Sequence, residues 1–516
     1  MAYTRRNIGD LGDPWAPEIL WYARGVKAMQ GLGLDKTNGW RFWGAIHGFH
    51  QGLWEELDQW SAAETQPSPN DVDLFWEQCQ HGSWYFLPWH RGYLIAFEAQ
   101  VRAAIRHWNG PADTWALPYW NYFKAGQNAL PQAFATPDWP DGNDNPLHVK
   151  QRYGPDNDGN VYVDLNDVNL KALTDDPTFI GARTGTPPGF GGPRTPFMHG
   201  GGAHGGLEFQ PHDQVHGLVG GGDQATPGMM SIPQSAALDP IFWLHHCNID
   251  RLWQIWAGIA TNKGNPHDKL DPVQKQWLDG PKGIGQRAFV LPMPDGSPWK
   301  FTPEDMTNPA SLDYSYDDIT PPAIKPQINL RLERFGLHAD EADALVKEFA
   351  AVPEPAEAEL LGASLGSVPI VGKTASAKVA LRPAVQNNFV ASLAAPFAAR
   401  VPDRVYLNLE NITGLNDAAL FRVYIDLPEG ADPDRHPELK AGSIGLFGVS
   451  SASNPDGGHA GEGLSFSFDI SPVLDTLHLD HNLGADQLNV TIVARNPVSE
   501  EAKIRIGRIS LYRQDG

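Results

Sequence analysis

The chain has 516 residues, 41% of them apolar and 19% charged, with a formal net charge of −22. It is too long for a single hydrophobic core, too apolar for an extended disordered chain, and acidic enough to repel nucleic acid and anionic membranes. Cys79 and Cys247 are the only cysteines, so no disulfide framework is expected, and no apolar run is long enough to span a bilayer.

The N-terminal stretch MAYTRRNIGD has no apolar segment after its charges, which reads as a cytoplasmic protein without a secretory signal. Asp13 and Pro14 look like the cap and first residue of a helix that stops at Gly31. A second helix is expected from Asn38 to about Leu57. A third is expected from near Pro88 past Ile105, with Leu94, Phe97, Val101 and Ile105 on one face. Residues 125–207 are rich in Gly, Pro, Asn and Asp and read as long loops, which are uncommon unless functional. Asp239 and Pro240 then open a helix through Trp256. Tryptophan, 18 in all, concentrates in this helical part and is expected in its core.

Residues 351–378 are Ala-, Pro-, Glu- and Gly-rich and read as a linker. Beyond them the period changes to two, in RVYLNLENI, LFRVYIDL, LSFSFDI, LNVTIVAR and KIRIGRISLY. The expected fold is therefore a mainly α domain over 1–350, a helical bundle with long loops, followed by an all-β sandwich or barrel over 379–516.

Most of the 18 histidines stand in unpatterned settings, among them His199 and His204. His50 lies three residues from His47 and is also read as structural. Two clusters differ. In PHDQVHG, His212 and His216 are four apart, which on a helix puts both imidazoles on one face. His245 and His246 follow within DPIFWLHHCNIDRLW, and burying two imidazoles beside Phe242, Trp243 and Leu244 is costly without partners. Upstream, CQHGSWYFLPWHRGYL carries His81 and His90, with His47 on the preceding helix. Each cluster offers three imidazoles without a competing thiolate or carboxylate cage, a donor set that suits Cu, Zn, Fe or Ni. The Glu-x-x-His pairs of a di-iron bundle are missing. The residues thus point to a binuclear, all-histidine metal site and leave the metal open.

FLPWHR (Phe86–Arg91), HxxxH at His212–His216, and DPIFWLHH followed by NIDRLW resemble, in order and spacing, the copper signatures of the tyrosinase/polyphenol oxidase family of type 3 binuclear copper proteins. The resemblance spans about residues 1–320 and is to bacterial-type members with a C-terminal β domain. It implies two copper ions, the first on His47, His81 and His90 and the second on His212, His216 and His246, with His245 a packed neighbour. Dioxygen is the implied co-substrate and small phenols the implied partners. The implied reactions are o-hydroxylation of monophenols and oxidation of o-diphenols to o-quinones. A catechol or o-aminophenol oxidase without monophenol activity and a hemocyanin-like O2 carrier are the alternatives.

Further roles come with the resemblance. Cys79 would form a thioether to His81, and Glu208 would hold a water near the site and act as base. Met230, Ile232 and Pro233 would gate the pocket at the second copper, and Asp250 would orient a ligand imidazole. Tyr314-Ser315-Tyr316 matches the Tyr-x-Tyr signature near the end of the catalytic domain. The β domain resembles that of latent polyphenol oxidases, which can cover the active site. Asp213 stands where hydroxylating relatives often carry Asn, and is expected to share a pocket and a proton with Glu208. A homo-oligomer is compatible with the sequence.

Overall fold

A computed structural model of the chain describes residues 3–181, 184–199, 201–223, 225–350, 357–383, 403–456, 461–480 and 486–515. In its helical part, α1 (Pro17–Gln30), α2 (Trp40–His47), α3 (Phe86–His107), α4 (Gln214–Gly220) and α5 (Pro240–Gly258) surround the histidine clusters.

The expected start at Asp13-Pro14 is displaced. The Asp13 side chain instead accepts from Trp15 N at 2.9 Å in a turn, and Pro17 takes the first position of α1. Both prolines fit a first helical turn, and the later one is used. The helix expected over Asn38–Leu57 breaks at Gly48, whose extended backbone passes against Gln234. A further short helix, Gln51–Glu56, is capped by His50 Nδ1, which accepts from Leu53 N at 3.2 Å. The break leaves His47 as the last residue of α2. At α5 the expected cap holds: the Asp239 carboxylate accepts from Ile241 N at 3.0 Å and Pro240 follows.

Behind the histidines the tryptophans form the core. Trp243 of α5 stacks on Phe97 of α3 with centroids 3.4 Å apart and planes 10° from parallel. Trp43 of α2 lies edge-on to both. Aromatic pairs of this kind contribute beyond the area they bury.

Strand β1 (Tyr3–Arg5) pairs in parallel with Tyr314–Tyr316. Together they surround Asp250 of α5, which corrects the expectation that Asp250 orients an imidazole. Its carboxylate accepts from Arg91 Nε at 2.5 Å, from Arg5 Nη1 at 3.3 Å, and from the Tyr314 and Tyr316 hydroxyls at 2.6 Å each. Burial opposes ionisation of Asp250, but the Arg91 and Arg5 charges outweigh it and hold its pKa below the usual carboxylate range. The acid one turn beyond His246 thus ties α5 to α3 and the N-terminus.

In the C-terminal part, strands lie where a linker was expected. Residues Glu359–Ser364 and Gly372–Leu381 are strands of the sheet, and of the expected linker residues 351–356 lie outside the described ones. Gly372–Leu381 is largely exposed and made of small or polar residues, so it lacks the alternation that marks a half-buried strand. With β2 (Gly202–Ala203), β3 (Tyr314–Tyr316), β4 (Glu359–Ser364), β5 (Gly372–Leu381), β6 (Arg404–Thr413), β7 (Leu420–Ile425), β8 (Lys440–Gly445), β9 (Leu464–Asp469), β10 (Gln487–Val498) and β11 (Arg505–Gln514), the sheet order is β8-β7-β10-β5-β4-β11-β6-β9-β2. The sheet curls until Gly442 of β8 faces Phe468 of β9, leaving no room for a side chain at 442. Its last strand, β2, comes from the helical part.

An ionic clasp also joins the two parts. Arg422 Nε donates to Asp167 Oδ1 at 2.6 Å, and Arg495 Nη1 donates to Asp164 at 2.7 Å and Asp167 at 2.8 Å. Lys440 Nζ reaches Asp167 at 3.2 Å. Burial works against a charge on Asp167, but the Arg422 hydrogen bond and the Lys440 and Arg422 charges bring its pKa down to about 2. A carboxylate depressed in the folded state stabilises above its unfolded pKa and loses that contribution as pH falls through the folded value. Docking is therefore expected to weaken between about pH 4 and pH 2, by about 2 kcal/mol from this group. Asp167→Asn should flatten that acid transition and loosen docking at neutral pH. Small-angle scattering across the pH range reads both, and an unchanged transition would exclude Asp167 as its source.

Candidate metal centre

The first trio forms where three elements meet. His47 ends α2, His90 lies in the second turn of α3, and His81 sits in the loop before it. The ring centroids are 5.4 Å apart for His47 and His81, 5.7 Å for His47 and His90, and 5.3 Å for His81 and His90. His47 Nδ1 donates to the Pro233 carbonyl and His90 Nδ1 to the Phe86 carbonyl, both at 2.8 Å. His81 Nδ1 faces Glu208 Oε1 at 2.9 Å. All three Nε2 atoms are buried and have no hydrogen-bond partner among the described residues.

The second trio lies across from it. His216 Nδ1 donates to the Met230 carbonyl at 2.7 Å, and His212 Nδ1 faces Asp213 Oδ1 at 3.0 Å. His212 lies in the π-helical stretch Glu208–Asp213, kinked at Gln210, that leads into α4, rather than within α4 itself. Even so, its Nε2 comes within 3.1 Å of His216 Nε2. With both Nδ1 atoms holding protons for their acceptors, these two Nε2 atoms point lone pairs at each other. That contact is repulsive unless a cation lies between them.

His246 of α5 has neither nitrogen partnered among the described residues. It stacks on His90 of the first trio with centroids 4.5 Å apart and planes 16° from parallel, so the trios face each other. His245 lies as near to His216 as His246 does, at 5.2 Å against 5.7 Å. The ligand atoms of His212, His216, His245 and His246 fall within 4.8 Å of one another. His245 differs in that its Nδ1 shares a hydrogen bond of 3.4 Å with the Tyr122 hydroxyl.

Burial holds every one of these imidazoles below the usual histidine range, His47 and His245 down to about 3. They are therefore neutral donors. Buried and neutral, with Nδ1 tied in every trio ring but His246, the donor set fits a soft-to-borderline transition metal such as copper.

The residues around the trios take places that the sequence did not suggest. Met230 and Pro233 serve His216 and His47 through backbone carbonyls, and the Met230 side chain is fully buried; Ile232, half-buried, caps the short helix Pro233–Ala236. Cys79 is buried, with its sulfur 3.3 Å from His199 Nδ1 and within 4.8 Å of ring nitrogens of His47 and His81. Cys247 is buried away from any thiol partner. Asp213 and Glu208 share a buried pocket, as expected, with ligand atoms of the two and of His204 within 4.8 Å of one another. His204 stands between them, its Nδ1 at 2.7 Å from Asp213 Oδ2 and 3.8 Å from Glu208 Oε1. Burial pulls the His204 pKa down, but the two carboxylates carry it up to about 9.

Among the described residues of the β domain, one ring enters the site. Phe447, just after β8, stacks on His216 with centroids 3.9 Å apart and planes 18° from parallel. Its ring stands edge-on to His81 at 5.4 Å and to His212 at 5.7 Å. Gly445 allows this approach, since a side chain there would press on the Asp213 carbonyl.

A family model described as the common central domain of tyrosinase matches residues 37–259, and one described as a domain of unknown function (DUF7868) matches residues 357–514. The chain is 32% identical over 524 residues to tyrosinase HcTyr1 of Hahella sp. (strain CCB-MM4), covering 99% of each. It is 27% identical over 462 residues to polyphenol oxidase A1, chloroplastic, of Vicia faba, over 84% of this chain and 67% of that one. The fold of latent apple tyrosinase is similar, at 20% identity and TM-score 0.55 over 99% of this chain and 97% of that one. That of recombinantly expressed latent aurone synthase is also similar, at 18% identity and TM-score 0.56 over 100% and 90%. With the full-length relationship to a bacterial tyrosinase and the facing histidine trios together, the chain belongs to the tyrosinase/polyphenol oxidase family of copper oxidoreductases.

Proposed function

We propose that this protein is a tyrosinase-type oxidase of small phenols, with one copper on His47, His81 and His90 and a second on His212, His216 and His246. The observation that carries the reading is the pair of facing imidazole trios whose Nε2 atoms converge while the Nδ1 atoms of every ring but His246 are tied. Copper, when bound there, supplies O2 activation and the electron transfer to it. In the monophenol reaction one oxygen atom of O2 enters the ring and the other leaves as water, with the o-quinone as product. Two o-diphenols together give four electrons and four protons to one O2, which leaves as two waters.

The chain's own part is geometric. The carbonyls of Pro233, Phe86 and Met230 fix three rings, and the carboxylates of Glu208 and Asp213 fix two more. The Trp- and Phe-rich wall behind them keeps water out. Both carboxylates are already engaged, Glu208 with His81 and Gly82 N and Asp213 with His204 and His212. That engagement turns both carboxylates toward the histidines rather than toward an incoming phenol, and it favours a second reading, an o-diphenol or o-aminophenol oxidase without monophenol activity. Copper reconstitution followed by rates on a monophenol, a catechol and an o-aminophenol separates the two. No oxidation of any of them would overturn both.

Phe447 gives the β domain a role in the same proposal. Its ring lies where a planar phenol would stack on His216, so the protein is latent while the domain is docked. The Cys79–His81 thioether is part of the reading too. The S–H and a ring C–H are lost as the C–S bond forms, and O2 takes the two electrons and two protons to become H2O2. Intact mass after copper turnover should fall by two hydrogens, and Cys79 in the denatured protein should resist thiol reagents. Full labelling would remove the crosslink.

A further inference from the structure

The segment 201–213 touches both trios and the β domain. At its start, β2 joins the edge of the β-domain sheet, with Gly202 and Ala203 paired to Leu464 and Ser465 of β9 and Gly202 N donating to the Gly463 carbonyl at 3.2 Å. The next residue is His204. Its ring lies 6.0 Å from that of Phe466 of β9, and Phe209 packs on Phe466 and Phe468 at 5.2 and 5.3 Å. His204 is fully enclosed, at 3% exposure.

Its Nδ1 faces Asp213, whose other oxygen holds His212, and lies within ion-pair reach of Glu208, which holds His81. One imidazole therefore stands behind two carboxylates, each of which orients a ring of a different trio. Partners of this kind fix ring orientation, and losing one commonly costs about 10- to 100-fold in metal affinity.

We propose that His204 is a positioning residue for both trios, and that the β domain, through β9 and Phe466, holds it in place. The β domain then supports copper retention as well as covering the site. The inference rests on the reading that these imidazoles hold copper.

The test uses the full-length apo protein titrated with Cu(I) against a chelator, with metal analysis after dialysis and melting of each apo protein as a check on folding. Asn places an amide N–H where His204 has Nδ1, whereas Gln places it one bond farther out. His204→Asn should stay within about threefold of the parent affinity, while His204→Ala and His204→Gln should lose at least about tenfold. Phe466→Ala should lose about threefold or more. Parent-like copper retention in both His204→Ala and His204→Gln would overturn the role of His204, and in Phe466→Ala that of the β domain. If Ala fails to fold, the Asn and Gln variants decide the matter. Failure of the parent to bind copper at all would overturn the functional reading with it.

Discussion

Phe447→Ala in the copper-loaded protein is expected to raise turnover of catechol by at least about tenfold, a change of about 1.4 kcal/mol. The ring lies flat on His216, at 3.9 Å, where a planar phenol would have to enter. Because it is carried on the same chain, it competes at an effective concentration that added substrate hardly matches. Removing it gives up an aromatic stack of about 1 kcal/mol and the burial of the side chain, so docking should loosen as well. Both effects act in one direction on access. Phe447→Leu, which keeps bulk but not the flat face, should fall between the two. Steady-state rates at fixed copper content read this, and a rate unchanged in Phe447→Ala would show that the ring does not restrict entry.

His246→Ala should lose one copper per chain and lower oxidation by at least about 1,000-fold, or about 4 kcal/mol. Among the described residues His246 has no hydrogen-bond partner on either nitrogen, and it stacks on His90 of the opposite trio, which suits a metal ligand. His245, its neighbour, is engaged by the Tyr122 hydroxyl. His245→Ala is therefore expected to keep both coppers and to lose packing stability instead, by about 2 kcal/mol. Metal analysis decides between them. The reverse pattern would make His245 the ligand, which its short distances to His212 and His216 make a real contest.

What could be read from the sequence was local in the chain. The HxxxH spacing, the Asp-Pro cap of α5 and the tandem histidines among aromatics each lie within a few turns, where periodicity and capping chemistry act. What escaped depends on contacts between distant segments. His204 has no pattern around it, and only the fold brings it between Glu208 and Asp213. Phe447 sits in an ordinary Gly-Leu-Phe-Gly turn, and nothing there points to a histidine cluster in another domain. Asp250 stands at the right helical offset from His246, yet two arginines and two tyrosines from other elements claim it. Strand Gly372–Leu381 escaped for a different reason: its mostly small or polar, largely exposed side chains carry little alternation of apolar and polar residues, and backbone pairing defines it.

The Phe447 plug also bears on how the protein matures. That ring covers the trios on the β-domain side, so on the proposed reading a copper ion uses the same door as a phenol. Filling the site with metal then keeps time with the opening of the domain. The rate at which apo protein takes up copper becomes a clock for lid motion, readable without any substrate. A protein that lifts the lid rarely would load slowly, yet once loaded would hold its cargo and stay silent until something frees the door.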